Sequence, residues 1–345
     1  MSDPRRILVV RRDNIGDLVL TTPLISALRR RFSAAWIGVL GNTYNTPVLA
    51  GHPDIDELFA YDKAKHQPQR ARFSVYADTA RLLLRMRAAR VDLAILAGPG
   101  VQQQAARLAQ WVRPRAMLGF VLQGMPAEVT IPVAYADGAL LHEAEDVFRL
   151  GGPLGLSGAA GPCTIAAGPD ESARFRAALA TLAPPGDRIV ALHVSARRLR
   201  QRWPAGHFAA LARLLCAAGD VTVVLLWAPG AGDDPRHPGD DAKAATIIAQ
   251  TQGAVRCLPW PTTSLAQLAG ALAGCHLMIC ADGGAMHMAA GLGVPIVALF
   301  GDSPVRRWRP WGVLHEVLQA SSGNAEDIAV STVQSACERV LAAAR

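Results

Sequence analysis

The sequence lacks any apolar stretch long enough to span a bilayer, which excludes a protein built from transmembrane helices. It also lacks the pattern of a secretory signal peptide, because the charged residues Asp3, Arg5 and Arg6 run directly into an apolar segment. None of the six cysteines forms a Cys-x-x-Cys pair, and several lie inside apolar runs, as reduced and buried thiols do. We therefore expect a cytoplasmic protein without disulfides or a structural metal.

Apolar surface and positive charge are what the chain has in abundance. Its 345 residues are 51% hydrophobic, which is enough to build two cores of ordinary size. Lysine and arginine together number 35 against 28 aspartates and glutamates, which gives a formal charge of +7. This balance favours an anionic partner, and the candidates are a nucleotide, a phosphorylated glycan and a membrane surface.

Short apolar runs alternate with amphipathic segments along both halves of the chain. Strands are predicted at residues 7–10, 36–40, 57–61, 91–96, 116–120, 129–133, 188–194, 221–226, 277–281 and 296–300. Helices are predicted at residues 18–32, 81–90, 142–150, 205–218, 240–251 and 264–273. Such alternation is typical of an α/β fold with parallel sheets and right-handed crossovers.

A segment rich in Gly, Pro and Ser at residues 151–169 has the composition of a linker. We therefore predict two Rossmann-like domains that face each other, at residues 1–160 and 170–324. The amphipathic tail at 325–345 is expected to pack back on the N-terminal domain.

The most informative stretch is the apolar run that ends at Asp282 and is followed by Gly283, Gly284 and Ala285. In an open parallel sheet, ligands bind beyond the carboxyl ends of strands, where the next helix presents unpaired N–H groups. The two glycines would let the backbone approach an anion, and Asp282 would accept hydrogen bonds from hydroxyl groups. An ordinary strand-to-helix turn with a capping aspartate explains the same residues.

Three ordered motifs resemble those of the heptosyltransferase-type glycosyltransferases, glycosyltransferase family 9. They are Asn14-Ile15-Gly16-Asp17 with Leu18 to Pro23, then His193-Val194-Ser195 with Arg202-Trp203-Pro204, and Asp282 to Ala290 with Gly293-Val294-Pro295. The resemblance spans nearly the whole chain. It implies the two-domain GT-B glycosyltransferase fold, an ADP-activated sugar held mainly by the second domain, and an acceptor held mainly by the first. It also implies inversion at the sugar carbon without a metal ion or other cofactor.

Asp17 is the candidate catalytic base. It follows the first strand next to Gly16, in a position from which a carboxylate can take the proton of an attacking hydroxyl group. A positioned base contributes about 10²–10⁴-fold in rate. A helix cap worth about 1 kcal/mol is the competing interpretation. Arg12, Asn14 and Gly16 of the same loop are candidates on the acceptor side, and Asp13 is expected to form a surface ion pair.

A departing ADP needs donors that neutralise its charge. Ser195 and the backbone N–H groups of residues 283–285 would supply hydrogen bonds, and the arginines that follow Ser195 would supply cations, with Arg200 and Arg202 as the chosen candidates. A solvated loop would also explain the arginines. His287 is a further candidate for a phosphate or a sugar hydroxyl, with helix packing as the alternative.

The chain departs from the family pattern at three positions. Gln201 stands where the family has a basic residue, Ala196 where it has a second hydroxyl, and Gly283 where it has a threonine. Arg200 or Arg202 would then have to supply the charge. These departures leave two questions undecided by the sequence, which are how the phosphates are bound and which nucleotide sugar is preferred.

The favoured function is transfer of heptose from ADP-heptose to an anionic cell-envelope glycolipid such as lipopolysaccharide core, at the cytoplasmic face of the inner membrane with peripheral contact. The alternatives are another nucleotide sugar, a protein acceptor, a sugar-nucleotide epimerase and a basic nucleic-acid-binding protein. The last is disfavoured, because the arginines are spread over several elements without a nucleic-acid-binding module.

Overall fold

A computed structural model describes residues 3–61, 72–100, 102–122, 128–135, 141–217, 219–233 and 239–344. The chain divides into two units, Met1–Ala166 and Ala167–Arg345. Each unit contains one six-stranded parallel sheet, which confirms the predicted α/β class.

The first unit is built around β1, with helices on both faces of its sheet. The strands are β1 (Arg6–Val10), β2 (Trp36–Asn42), β3 (Glu57–Tyr61), β4 (Leu93–Leu96), β5 (Ala116–Val121) and β6 (Ile131–Ala134). The helices are α1 (Ile15–Val19), α2 (Thr22–Arg31), α3 (Arg72–Ala88), α4 (Gln103–Val112) and α5 (Glu143–Phe148). The strand order is β3-β2-β1-β4-β5-β6.

The second unit repeats this plan around β7. Its strands are β7 (Arg188–His193), β8 (Val221–Trp227), β9 (Cys257–Pro261), β10 (Leu277–Ala281), β11 (Ile296–Phe300) and β12 (His315–Gln319). Its helices are α6 (Pro169–Ala180), α7 (Ala205–Ala217), α8 (Asp241–Thr251), α9 (Leu265–Leu272), α10 (Gly284–Gly291), α11 (Val305–Trp308) and α12 (Val330–Ala343). The order β12-β11-β10-β7-β8-β9 is the first sheet's order read in reverse.

The order of connection reverses once in each sheet, between β1 and β4 and between β7 and β10. These central strands are buried on both faces, because apolar residues occupy nearly every position along them. At such a reversal the loops that leave neighbouring strands diverge and leave a crevice at the carboxyl edge of the sheet. The fold therefore places the first motif at one crevice and the other two motifs at the second.

Helix boundaries near the first motif differ from the prediction. The single helix expected at 18–32 is two helices: α1 begins at Ile15, and a break at residues 20–21 precedes α2, which has Pro23 in its first turn. Proline has no N–H to donate, so it favours the start of a helix over its interior. Asp17 consequently lies inside α1 instead of in the loop before a helix.

The C-terminal tail forms part of the core of the second unit. The buried residues of α12 belong to the core of the second unit, together with residues of α7 and α8. The indole of Trp203 donates a hydrogen bond of 2.9 Å to the carbonyl of Ile328, just before α12. The apolar stripe of the tail is thus buried against the sheet of its own unit, and the packing of the tail on the N-terminal domain stays a prediction.

The six cysteines are free thiols, as predicted. Trp203 and Phe208 are buried in the core. Among the described residues, none of the helices combines the length and the apolar character needed to cross a membrane.

Candidate active site

Arg11, directly after β1, is the centre of a buried ionic cluster in the first unit. Its side chain is fully buried, and its guanidinium lies 3.0 Å from a carboxylate oxygen of Asp13, 2.9 Å from Asp17 and 2.7 Å from Glu143. It also donates a hydrogen bond to the carbonyl of Ala97, after β4. The guanidinium therefore joins the two strands that flank the reversal point. Burial alone lowers the pKa of Arg11, but the charges of Glu143, Asp17 and Asp13 outweigh this effect and raise it overall.

Asp17 is held by hydrogen bonds at both carboxylate oxygens. Oδ1 accepts from Arg11, and Oδ2 accepts from the backbone N–H and the side-chain amide of Asn14, each at 2.9 Å. Because the N–H of Asn14 precedes α1, Asp17 does cap the helix, as the competing interpretation held. The same contacts fix the orientation of a carboxylate that is only 7% exposed. Cap and base are therefore compatible roles for one side chain.

The other residues of this loop have defined places. Asp13 forms an ion pair with Arg11, but that arginine is fully buried, so this is not the surface pair that was expected; the side chain of Asp13 is 34% exposed. Arg12 donates to the hydroxyl of Tyr61 at 2.6 Å and to Gln104 at 3.1 Å, so it joins the loop to β3 and α4. Gly16 is buried within α1.

Sequence reasoning missed Arg11 and Glu143 as parts of this site. Glu143 is the first residue of α5, 132 positions after Arg11. No motif links two residues so far apart, and only the fold brings them together. Arg11 lies six positions before Asp17 in the sequence. This short separation was the one signal in the sequence that Arg11 belongs to the same cluster.

In the second unit, Ser195 and Asp282 follow β7 and β10, the neighbouring strands at the reversal point. The hydroxyl of Ser195 accepts a hydrogen bond of 2.9 Å from the backbone N–H of Ala228, so its own proton can be donated elsewhere. Burial raises the pKa of Asp282, although a hydrogen bond from Ser303 and the charge of Arg198 partly oppose the effect. The fold thus brings the second and third motifs to one edge of one sheet.

Gln201 is buried beside Asp282. Its side-chain nitrogen lies 3.1 Å from Oδ2 of Asp282 and 3.1 Å from the hydroxyl of Ser303. A neutral amide therefore occupies the place where the family pattern has a cation. It ties the loop after β7 to the loops after β10 and β11.

The two arginines predicted to bind phosphate differ in their contacts. Arg200 is 60% exposed in its side chain, with its Nε 3.8 Å from Asp302. Arg202 donates from Nε to the carbonyl of Ala196 at 3.0 Å, which closes the loop on itself. Arg200 is thus open to a ligand, whereas Arg202 also shapes the loop.

Helix α10 begins directly after Gly283, whose backbone is extended. A side chain added at Gly283 would meet nothing within 4 Å, so the glycine is not required by packing. The first two N–H groups of α10, those of Gly284 and Ala285, have no partner within the helix and can serve an anion. His287 is buried in the same helix.

No group of three or more His, Cys, Asp or Glu side chains suited to a metal ion is found within the described ranges.

Comparison with known proteins identifies the family. Residues 165–335 match the profile of "Glycosyltransferase family 9 (heptosyltransferase)". A lipopolysaccharide heptosyltransferase 3 of Escherichia coli is 27% identical over 309 residues, which are 86% of this chain and 83% of that protein.

Solved structures share the fold over nearly the full length. A glycosyltransferase family 9 protein of Veillonella parvula superposes with a TM-score of 0.83 at 21% identity, covering 98% of this chain and 97% of that one. The Escherichia coli heptosyltransferase WaaC with ADP superposes with a TM-score of 0.77 at 15% identity, covering 97% and 99%. The family-model match and the Escherichia coli relatives place the chain in glycosyltransferase family 9, the heptosyltransferase family, as a glycosyltransferase enzyme, and the solved structures show that it shares their fold.

Proposed function

We propose that the protein is an inverting, metal-independent glycosyltransferase that moves heptose from ADP-heptose to a cell-envelope glycolipid such as lipopolysaccharide core. The observation that carries the proposal is the meeting of Ser195, Asp282 and the start of α10 at the reversal point of the second sheet. Such a crevice suits a nucleotide diphosphate. The Escherichia coli relatives named lipopolysaccharide heptosyltransferase 3 support the choice of heptose and acceptor.

Asp17 is the proposed base. As the acceptor oxygen attacks the anomeric carbon from the face opposite to ADP, the carboxylate takes the hydroxyl proton, and the bond from carbon to the diphosphate oxygen breaks. Arg11 and Asn14 keep the carboxylate in one orientation, so that no reorganisation is needed during the reaction. Arg12, Asn14 and Gly16 lie in the same loop and remain the candidates for acceptor contacts.

The departing diphosphate is proposed to bind the hydroxyl of Ser195, the N–H groups of residues 283–285 and the guanidinium of Arg200. These groups are hydrogen-bond donors aimed at the place where negative charge develops, which is the general requirement for stabilising a leaving group. Asp282 is proposed to position the donor sugar, and His287 to support the phosphate side from within α10. No cofactor takes part in this scheme.

The donor is tested by thermal melting with ADP, UDP and GDP. A ligand present at 100 times its Kd stabilises the native state by about 2.7 kcal/mol, which raises the Tm by several degrees. ADP should raise the Tm most. An equal or larger shift with UDP or GDP would overturn the ADP assignment.

The chemistry is tested by heptose transfer from ADP-heptose to a lipopolysaccharide core acceptor that lacks heptose. Asp17→Ala should lose about 10²–10⁴-fold in rate, while ADP still raises the Tm. Asp13→Ala, at the neighbouring carboxylate on Arg11, is the matched control and should lose much less. Full activity of Asp17→Ala would reject this base, and inactivation by EDTA with recovery in Mg²⁺ would reject the metal-free scheme.

A different nucleotide sugar is the second candidate donor, because Gln201 is neutral where the family pattern is basic. The melting series above distinguishes the two candidates.

Location at the cytoplasmic face of the inner membrane, with peripheral contact there, is part of the proposal. Sedimentation with vesicles containing anionic lipid tests that contact.

A further inference from the structure

Lys243 is unusual in a chain whose basic residues are almost all arginine. Of the 35 lysines and arginines, only Lys63, Lys65 and Lys243 are lysines, and Lys243 alone lies in the second unit. An ammonium group loses its proton readily when it is buried, whereas a guanidinium stays charged. A lysine at this position is therefore a cation that can be titrated near neutral pH.

The side chain of Lys243 reaches the candidate phosphate loop from the first turn of α8. Its ammonium donates a hydrogen bond of 2.8 Å to the carbonyl of Val194, the residue before Ser195. The same ammonium lies 4.9 Å from the ring centroid of Phe208 in α7. Lys243 is thus held at the carboxyl end of β7, directly beside the loop that carries Ser195.

Arg202 and Asp240 are the charged groups that act on Lys243, one of each sign. Burial and Arg202 lower the pKa of Lys243 to about 8, and Asp240 opposes them in part. On β7, burial lowers the pKa of His193 to about 4, so that imidazole is neutral. Asp241 accepts hydrogen bonds from the indole of Trp227 and the N–H of Gly230.

A cation in the first turn of a helix is itself unfavourable, because the positive end of the helix dipole is there. An anion bound beside Val194 would favour the charged lysine and satisfy the positive helix end at once. A diphosphate is an anion of this kind.

We propose that Lys243 is a second cation of the donor site, besides Arg200, that holds the diphosphate where Gln201 offers no charge, and that this binding depends on a proton. The inference rests on the proposed function. The diphosphate retains the proton on Lys243, so binding above pH 8 takes up a proton and the affinity falls as the pH rises.

The test is isothermal titration of the full-length protein with ADP at pH 7 and pH 9. With a pKa of about 8 for free Lys243, the wild-type Kd should rise by about tenfold between these values. The phosphate groups of ADP are already ionised over this range. Burial raises the pKa of all six thiols, so they contribute little to the change.

Two variants isolate the lysine. Lys243→Arg stays charged and should bind ADP with little change between pH 7 and pH 9. Lys243→Met should bind about tenfold or more weakly at pH 7, again with a flat pH profile, because it loses a charged contact. The double change Lys63→Met and Lys65→Met removes two lysine charges from the first unit and should behave as wild type. Tm values confirm that each variant is folded.

The outcomes separate this inference from the function on which it rests. Wild-type affinity and pH dependence in Lys243→Met would overturn the role of Lys243 alone. A folded wild-type protein that does not bind ADP at either pH would overturn the ADP donor and this inference together.

Discussion

At the scale of single residues, the balance of charge around Arg11 explains how a buried carboxylate can serve as a base. One guanidinium faces the three carboxylates of Asp13, Asp17 and Glu143. Because Arg11 shares its charge among all three, Asp17 is oriented without being neutralised by a partner of its own. Glu143 thus acts on Asp17 through Arg11, as a positioning residue.

Glu143→Gln tests this role. In the variant Arg11 loses its 2.7 Å ionic contact with Glu143, so it holds the carboxylate of Asp17 less firmly in one orientation. We expect kcat to fall by about tenfold with little change in KM. The measurement is the steady-state rate of heptose transfer.

Asp146→Asn is the matched control for Glu143→Gln. Asp146 is a buried carboxylate on the same helix, but it forms its ion pair with Arg149, at 2.8 Å. Loss of either buried charge should lower the stability by a similar amount. If kcat fell equally in both variants, the effect would be structural and the role of Glu143 would be rejected.

Asp282→Asn should stabilise the protein and weaken its binding of the donor. Burial raises the pKa of Asp282 above the ordinary value of 3.8 for an aspartate, so folding disfavours the ionised form. The resulting loss of folding free energy grows as the pH rises through the pKa of Asp282 and is complete at neutral pH. The variant should melt above wild type at pH 7.5, with a smaller difference at pH 4, and should bind the donor more weakly.

Calorimetry at the two pH values checks the expectation for Asp282→Asn. Asp302→Asn is the control, because Asp302 is 47% exposed in its side chain and 3.8 Å from its arginine partner. A variant at position 282 that melted below wild type at pH 7.5 would contradict the explanation.

Sequence reasoning found site residues only where they stand in short motifs. Asp17, Ser195 and Asp282 each follow a buried strand, and that arrangement is visible in sequence. The contact of Glu143 with Arg11 depends on the position of α5 in the fold, and the contact of Gln201 with Asp282 spans 81 residues. Such partners have no local signal.

At the scale of elements, the candidate site of the second unit depends on close packing between the loops after β7 and β11 and the end of β12. A Cβ atom added at Gly301, after β11, would lie 2.4 Å from the carbonyl oxygen of Arg200. The side chain of Gln319, at the end of β12, donates to the carbonyls of Gly301 and Ser303 at 2.6 and 3.1 Å. The loop after β11 is therefore fixed from two sides, and it holds Ser303 against Gln201.

Gly301→Ala should destabilise the protein by about 1–3 kcal/mol, because the backbone at Arg200 has to move. Gly283→Ser is the matched control at the other glycine turn, where an added side chain meets nothing within 4 Å. Serine is also a favourable residue before a helix, so this variant should keep its stability within about 0.5 kcal/mol. Denaturant unfolding checks both values, and equal stability of the two variants would contradict the packing argument.

The two strands that the sequence did not predict, β9 and β12, are the edge strands of the second sheet. β9 contains two prolines in its five residues, and β12 is largely polar, so neither resembles a buried strand. Both pair with a neighbour on one side only, which removes the need for a continuous apolar run. The central strands were predicted because two buried faces require apolar residues at successive positions.

At the scale of the whole molecule, the same strand order occurs in both units, and each has a polar cluster where that order reverses. In the second unit, α12 completes the core: Val333, Ala336 and Cys337 are fully buried, and Leu341 is 6% exposed. The amphipathic pattern of the tail predicted a packed helix, but a pattern does not say which surface covers it. The stability of the second unit is therefore expected to depend on α12.

Leu341→Ala should lower the free energy of unfolding by about 2–5 kcal/mol, the usual range for removing a buried leucine side chain. Ser335→Ala, on the exposed side of α12, should change it by no more than about 0.5 kcal/mol. Hydrogen exchange shows where stability is lost, and we expect the loss in β7, β10 and β11. Unchanged exchange in these strands would mean that α12 does not stabilise the second unit.

The central claim is that a nucleotide diphosphate binds at the carboxyl edge of β7 and β10. A crystal structure of the protein with ADP tests it most directly. The account predicts phosphate oxygens within hydrogen-bond distance of the Ser195 hydroxyl and of the first N–H groups of α10. A diphosphate bound away from both groups would contradict it.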